Sequence, residues 1–486
     1  MKTGPAGRAP GTATDPPLAR PVVLCYAAFA MTWSIDSHKS RKNPQAVPYE
    51  DAGAVQRAGD ALRRMPPLVT SWEIERLRDQ IADAQVGRRF VLQGGDCAET
   101  LADCTRDVIT RKLKILLQMS LVLVHGSQAP VVRVGRIAGQ YAKPRTQPTE
   151  RRGDVELPSY FGDSINSPEF TAQARTPDPQ RMVLAYQHAG LTINFIRSLV
   201  AAGFADVTHP EYWDLGFDDV DPAIRAEYEQ KATSLAEALR FMAALGERSF
   251  AELARVEFFT SHEALHLEYE AAQACKVPRR EGHYLLSTHF PWIGERTRDP
   301  EGAHVEFLRG VRNPLGVKVG PSASPSQLLA LLDRLDPNRE PGRITLITRM
   351  GADSVLEGLP PLVRAIQEAG RRVLWSVDPM HGNTLRTSSG KKTRRFDDIL
   401  LELERTFDVH EGLGTLLGGV HFELTGEHVN ECVGGVVGVT ESDLERNYET
   451  ACDPRLNYRQ SLEMSFRIAS RLAKRRRMAS GILPSM

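Results

Sequence analysis

The chain has 486 residues, is 41% hydrophobic, and balances 61 Lys+Arg against 61 Asp+Glu for zero formal net charge. That length supports a full hydrophobic core without crosslinks, and the balanced charge gives no electrostatic footprint for nucleic acid or an acidic membrane. No run approaches the roughly 20 apolar residues of a membrane span, and six cysteines are too few for a disulfide scaffold. These features describe an enzyme of a reducing, cytoplasmic compartment, with neither nucleic acid nor membrane as a partner.

Residues 1–20 are rich in Pro, Gly, Ala and Thr without apolar periodicity, which predicts disorder. PVVLCYAAFA (21–30) is a short apolar run, and Met31 reads as the working start or residues 1–30 as dispensable. The expected organisation is a dispensable tail over 1–40 and one domain over 41–480. Eight β-rich runs then follow: 89–94, 129–135, 255–260, 283–288, 315–320, 343–349, 371–377 and 418–424. Between them lie apolar spacings of three and four over 108–126, 179–203, 324–335, 353–370 and 396–414. The alternation predicts a (β/α)8 barrel, with a doubly wound open sheet as the alternative. The interval 140–255 is too long for one connection, so extra helices are expected over about 150–250, including 221–246.

Reactive residues fall after the predicted strands. Cys97 follows strand one; Arg136, Lys143 and Arg145 follow strand two; His262 and Glu263 follow strand three. Glu295 and Arg296 follow strand four, Lys318 lies in strand five, and Arg349 ends strand six. Asp378 and His381 follow strand seven, while Glu423 and Asp453 belong to strand eight and its continuation. In a barrel these positions converge on the mouth where βα loops build active sites. The cations Arg136, Lys143, Arg145, Arg296, Lys318 and Arg349 would repel one another without anionic ligands, and guanidinium forks match phosphate and carboxylate. Cys97, His381, Glu423 and Asp453 form a mixed S/N/O set suited to a divalent transition metal. Cys452 abuts Asp453 and is placed to approach Cys97, as a redox-labile partner or an ordinary buried thiol.

Seven motifs carry a resemblance: GRRFVLQGGDCAET (87–100), RVGRIAGQYAKPRT (133–146), STHFPWIGERTR (287–298), GVRNPLGVKVGPS (310–322), WSVDPMHGNT (375–384), GGVHFELTGEHVNECVGG (418–435) and YETACDPRLN (448–457). Together they resemble the type II 3-deoxy-D-arabino-heptulosonate 7-phosphate (DAHP) synthases, over about residues 45–475. The resemblance implies a condensation of phosphoenolpyruvate with erythrose 4-phosphate and water, the entry step of the shikimate pathway. It implies Cys97, His381, Glu423 and Asp453 as ligands of one divalent ion, Mn2+ first, with Co2+ or Mg2+ as alternatives. It also implies Arg136, Glu295, Arg296, Lys318 and Arg349 as phosphoenolpyruvate contacts, Glu295 through its backbone. Lys143, Arg145 and Thr146 match the loop that receives the aldose phosphate, where Thr146 replaces the usual Ser. Asp299 stands where the family commonly has Gln.

The ion's part in that chemistry is Lewis-acid polarisation of the aldehyde, with Cys97, His381 and Lys143 as the catalytic set. Lys143, His381 and a water remain alternatives for the proton donor. A homo-oligomer is expected. Two other readings stand beside the first: an aminated DAHP synthase using an imine of erythrose 4-phosphate, and a catalytically silent barrel that binds phosphometabolites. HEALH (262–266) matches a zincin pattern and SSGKKT (388–393) partly matches a P-loop, but neither has the required context.

Overall fold

The structure, a computed structural model, describes Met1, residues 33–201, 257–450 and 452–479, and a few isolated residues between 202 and 256. Residues 2–32 of the expected tail and most of the expected helix 221–246 lie outside the described residues. Eight strands form the centre: β1 (Phe90–Gly95), β2 (Val131–Arg136), β3 (Phe258–Glu263), β4 (Phe290–Ile293), β5 (Leu315–Val319), β6 (Ile344–Thr348), β7 (Leu374–Val377) and β8 (Leu417–Glu423). They close in the order β1-β8-β7-β6-β5-β4-β3-β2, and every neighbouring pair is parallel. This is the predicted (β/α)8 barrel. Helices on the outside and side chains within bury both faces of each strand, so β5 and β6 are buried along their whole length.

Register places chemistry at one end. Gly95 pairs with Arg136 on one side and with Glu423 on the other, so a cation and a carboxylate reach the same level of the rim. The opposite end is closed by the helix Ser71–Gln85, started by a reciprocal capping box between Thr70 and Glu73. Its Leu77, Ile81 and Ala84 pack with Val91, Val132, Phe290 and Leu374. The C-terminal rim is therefore the end left for a site. Between β2 and β3 the chain forms a hairpin (Thr149–Arg152 with Val155–Pro158) and the helices Ala172–Arg175 and Gln180–Ala201.

Two expectations are corrected here. Strand four is not the run 283–288: His283–Leu285 pairs antiparallel with Ala274–Lys276, and the barrel strand is the next segment, Phe290–Ile293. Its Pro291 cannot donate a ladder hydrogen bond, which made FPWI the poorer strand by pattern. The tail also ends earlier than residue 40. Ser37–Ser40 form a 3-10 turn, and His38 is buried edge-on against Phe307.

Candidate active site

A cavity of about 510 Å³ opens at the C-terminal rim, and the twelve residues that the resemblance assigns to metal and substrates all line it, whereas His262, Asp378 and Cys452 do not. They arrive from seven strands and the segments behind them, so the barrel register brings together residues up to 356 positions apart.

Four potential metal donors meet on one side. Cys97 Sγ lies 3.6 Å from Asp453 Oδ2, and His381 Nε2 lies 3.0 Å from Glu423 Oε1. Ligand atoms of His381, Glu423 and Asp453 all fall within 4.8 Å of one another. Asp378 Oδ2 is 2.6 Å from His381 Nδ1, which orients the ring so that Nε2 faces Glu423, where a bound ion would take the place of a proton on that nitrogen. Glu423 is fully buried between cations: Arg136 Nη2 donates to Oε1 at 3.1 Å, and Arg394 Nη1 lies 2.7 Å from Oε2. Burial alone would raise its pKa, but His381, Arg394 and Arg136 outweigh that and hold the carboxyl well below the ordinary range. Asp453 is likewise held low against its burial, chiefly by Lys143 and His381. Burial and the Glu423 charge push the Cys97 thiol up against the opposing charges of Lys143 and Arg136, so binding as a thiolate would require the charge of a bound metal ion. The donor set fits a divalent transition ion: mixed S, N and O atoms, anionic carboxylates and an imidazole oriented by Asp378.

The other wall is cationic. Arg136 lies over Trp292, 5.2 Å from the ring centroid, and Arg349 Nη2 donates to the His381 carbonyl at 3.3 Å. Arg296 Nη2 donates to Thr146 Oγ1 at 2.8 Å, joining the two loops expected to hold the two substrates. Arg145 pairs with Glu150, and Lys318 pairs with Asp378. Among the described residues, buried Lys143 has no hydrogen-bond partner for its ammonium, which stands 3.9 Å from the Asp453 carboxylate. A buried ammonium with hydrogen-bonding capacity left beyond its Asp453 ion pair is one an anionic ligand would satisfy. The Glu295 carboxylate is engaged by Gly320 N–H, Ser322 and Arg298.

Some residues were missed or misjudged. His262, expected near the mouth, is buried behind it and bonded to Glu270 at 2.7 Å, while His266 meets Tyr49 at 3.0 Å. No zincin geometry arises. Glu263 does line the cavity, with its carboxylate set against the bare Cα of Gly294. Lys392, set aside with the P-loop mimic, is carried on the hairpin Thr384–Arg386/Lys392–Arg394 and donates to Asp453 Oδ1 at 2.6 Å. Only a lysine close in sequence to the DPMHGNT segment signalled it.

A buried carboxyl fixes the geometry from behind. Glu402, on the helix Phe396–Gly412, accepts from Met350 N–H at 2.7 Å and from Asn383 Nδ2 at 2.7 Å. It thereby ties the loop of Arg349 to the loop of His381, and Asn383 Oδ1 accepts from Ala352 N–H at 2.9 Å. Burial raises the Glu402 pKa to about 7. The folded state therefore holds this proton more tightly than the unfolded chain, whose glutamates titrate near about 4.3. The associated stability is full below that value and is lost as pH rises through about 7. Relative to Glu402→Gln, the wild type should lose on the order of 3 kcal/mol across this window. Urea unfolding of both proteins at the two pH extremes checks it; parallel curves would refute the assignment.

Comparison with known proteins agrees with this geometry. Residues 33–469 match the Class-II DAHP synthetase family. A phospho-2-dehydro-3-deoxyheptonate aldolase of Neurospora crassa is 46% identical over 92% of this chain and 95% of its own length. One of Streptomyces coelicolor is 48% identical over 87% of this chain and 94% of its own. The Mycolicibacterium smegmatis protein of that name, AroG, is 46% identical over 87% and 92%. Family identity and the converging donors and cations at the barrel mouth lead to one statement: the chain belongs to the Class-II DAHP synthetase family.

Proposed function

We propose that this chain condenses phosphoenolpyruvate with erythrose 4-phosphate and water, giving DAHP and inorganic phosphate, the first step of the shikimate pathway. The observation that carries this reading is one cavity in which a metal-type donor set faces a wall of fixed cations. Cys97, His381, Glu423 and Asp453 would hold one divalent ion, manganese first, with cobalt or magnesium as alternatives. When bound, that ion supplies Lewis-acid polarisation of the aldehyde.

The chain's own residues do the rest. Arg136, Arg296, Lys318 and Arg349 hold the phosphate and carboxylate of phosphoenolpyruvate, with the Glu295 main chain beside them, and fix the direction of its C3 carbon. Lys143, Arg145 and Thr146 receive the aldose phosphate, and the Arg296–Thr146 bond couples the two halves. C3 attacks the aldehyde carbon, water adds at C2, and phosphate leaves by C–O cleavage. The cations stabilise the anionic groups throughout. Lys143 and His381 are the side chains placed to move protons at the reacting end. A cytoplasmic homo-oligomer completes the reading; no described helix is long and apolar enough to cross a membrane.

Phosphate release measured with phosphoenolpyruvate and erythrose 4-phosphate tests the proposal. Chelation should abolish it and Mn2+ restore it; no release with metal restored would sink the assignment, and release only with the imine acceptor would redirect it to the aminated reaction. Cys97→Ser should keep the fold while lowering metal affinity and turnover together by roughly tenfold or more. Unchanged turnover of that variant in metal-stripped buffer would count against the ligand role.

A further inference from the structure

The four donors above leave one sulfur at the mouth unaccounted for. Cys452 is a free, half-buried thiol immediately before Asp453. Its Sγ, Cys97 Sγ and a carboxylate oxygen of Asp453 all lie within 4.8 Å of one another. Asp453 Oδ2 is 3.6 Å from Cys97 Sγ and 3.8 Å from Cys452 Sγ. Around a tetrahedral ion, bonds of about 2.3 Å to sulfur and about 2.1 Å to oxygen separate such donors by about 3.6 Å. Both sulfur–oxygen distances are close to that spacing. On the opposite side, the 3.0 Å separation of His381 Nε2 and Glu423 Oε1 is the edge expected of two N/O donors at right angles around a harder ion. Asp453 belongs to both groups.

We propose that the mouth contains a second, softer half-site, Cys97–Cys452–Asp453, which captures thiophilic divalent ions such as Cd2+ or Zn2+. Because it shares Cys97 and Asp453 with the harder set, a captured ion draws ligands away from the ion that His381 and Glu423 help to hold. Two sulfur donors favour a soft ion over manganese, which gains little from the second one. Cys452 thus sets which metals the site tolerates. This rests on the reading of the mouth as a metal site.

The test uses the full chain, metal-free and kept reduced by a phosphine, titrated separately with Cd2+ and Mn2+. The readouts are affinity and the ultraviolet sulfur-to-cadmium charge-transfer absorption per bound ion. Cys452→Ser should lower that absorption by about half and reduce the ratio of cadmium to manganese affinity by at least about tenfold. Its manganese affinity should stay within about twofold. Cys452→Ala, which keeps no donor, should behave in the same way, and circular dichroism verifies folding of both. If both variants match the wild type in absorption and affinity ratio, Cys452 is not a ligand and the half-site is refuted, while the four-ligand reading stands. If the wild type binds neither ion, both readings fall.

Discussion

Glu423→Gln is expected to remove metal binding and about 3–5 kcal/mol of stability together. The carboxylate is fully buried and lies between Arg136 and Arg394, which are themselves almost wholly buried. Both cations are held out of water by the barrel interior. An amide in place of the carboxylate leaves them facing one another without their shared counter-ion. Such a loss is costlier than the ion pair's net contribution, because it exposes the whole desolvation penalty of the surviving charges. Denaturant unfolding in chelating buffer isolates this effect from metal binding. Combining Glu423→Gln with Arg394→Met should regain part of the stability without regaining metal affinity. A metal-free Glu423→Gln protein as stable as the wild type would show that the arginines find other partners.

The barrel itself was legible because its strands are short apolar runs cut by glycine, proline or charge, and the helices between them keep a period near 3.6. What misled was local. HYLLST has a better strand composition than FPWI, yet the closed sheet takes the latter and leaves His283–Leu285 to a small hairpin. Composition favours burial in general and cannot tell which of two adjacent apolar runs completes the ring. In the site, positions at strand ends were readable because parallel register carries them to one rim, as Gly95 does for Arg136 and Glu423. Asp378 was seen there too, but not its task of orienting His381 and pairing with Lys318. Lys392 had only its closeness to the DPMHGNT segment to signal it, and Glu402 had nothing. The first reaches the mouth on a two-stranded excursion whose register no periodicity announces, and the second acts from a helix through the backbone N–H of Met350.

Lys318 should give the enzyme an alkaline limit in its use of phosphoenolpyruvate. Burial, together with Arg136 and Arg349, lowers its pKa to about 8, and the pairing with Asp378 only partly opposes this. Below that pH the ammonium is charged and available to an anionic substrate; above it the free site has lost one of its cations. Bound phosphoenolpyruvate favours the charged form, so the complex titrates at higher pH than the free enzyme. The loss therefore falls on kcat/KM, tenfold for each pH unit above about 8, while kcat stays level over the first unit. Lys318→Arg separates this from other alkaline effects. A guanidinium keeps its proton, so the alkaline limb should disappear even as the maximum falls by roughly tenfold from the poorer fit. Profiles of kcat/KM for phosphoenolpyruvate from about pH 6 to about pH 10, at saturating aldose phosphate and metal, decide the matter. A limb that persists unchanged in the arginine variant would move the titration to another group and leave Lys318 as a fixed charge across the whole range.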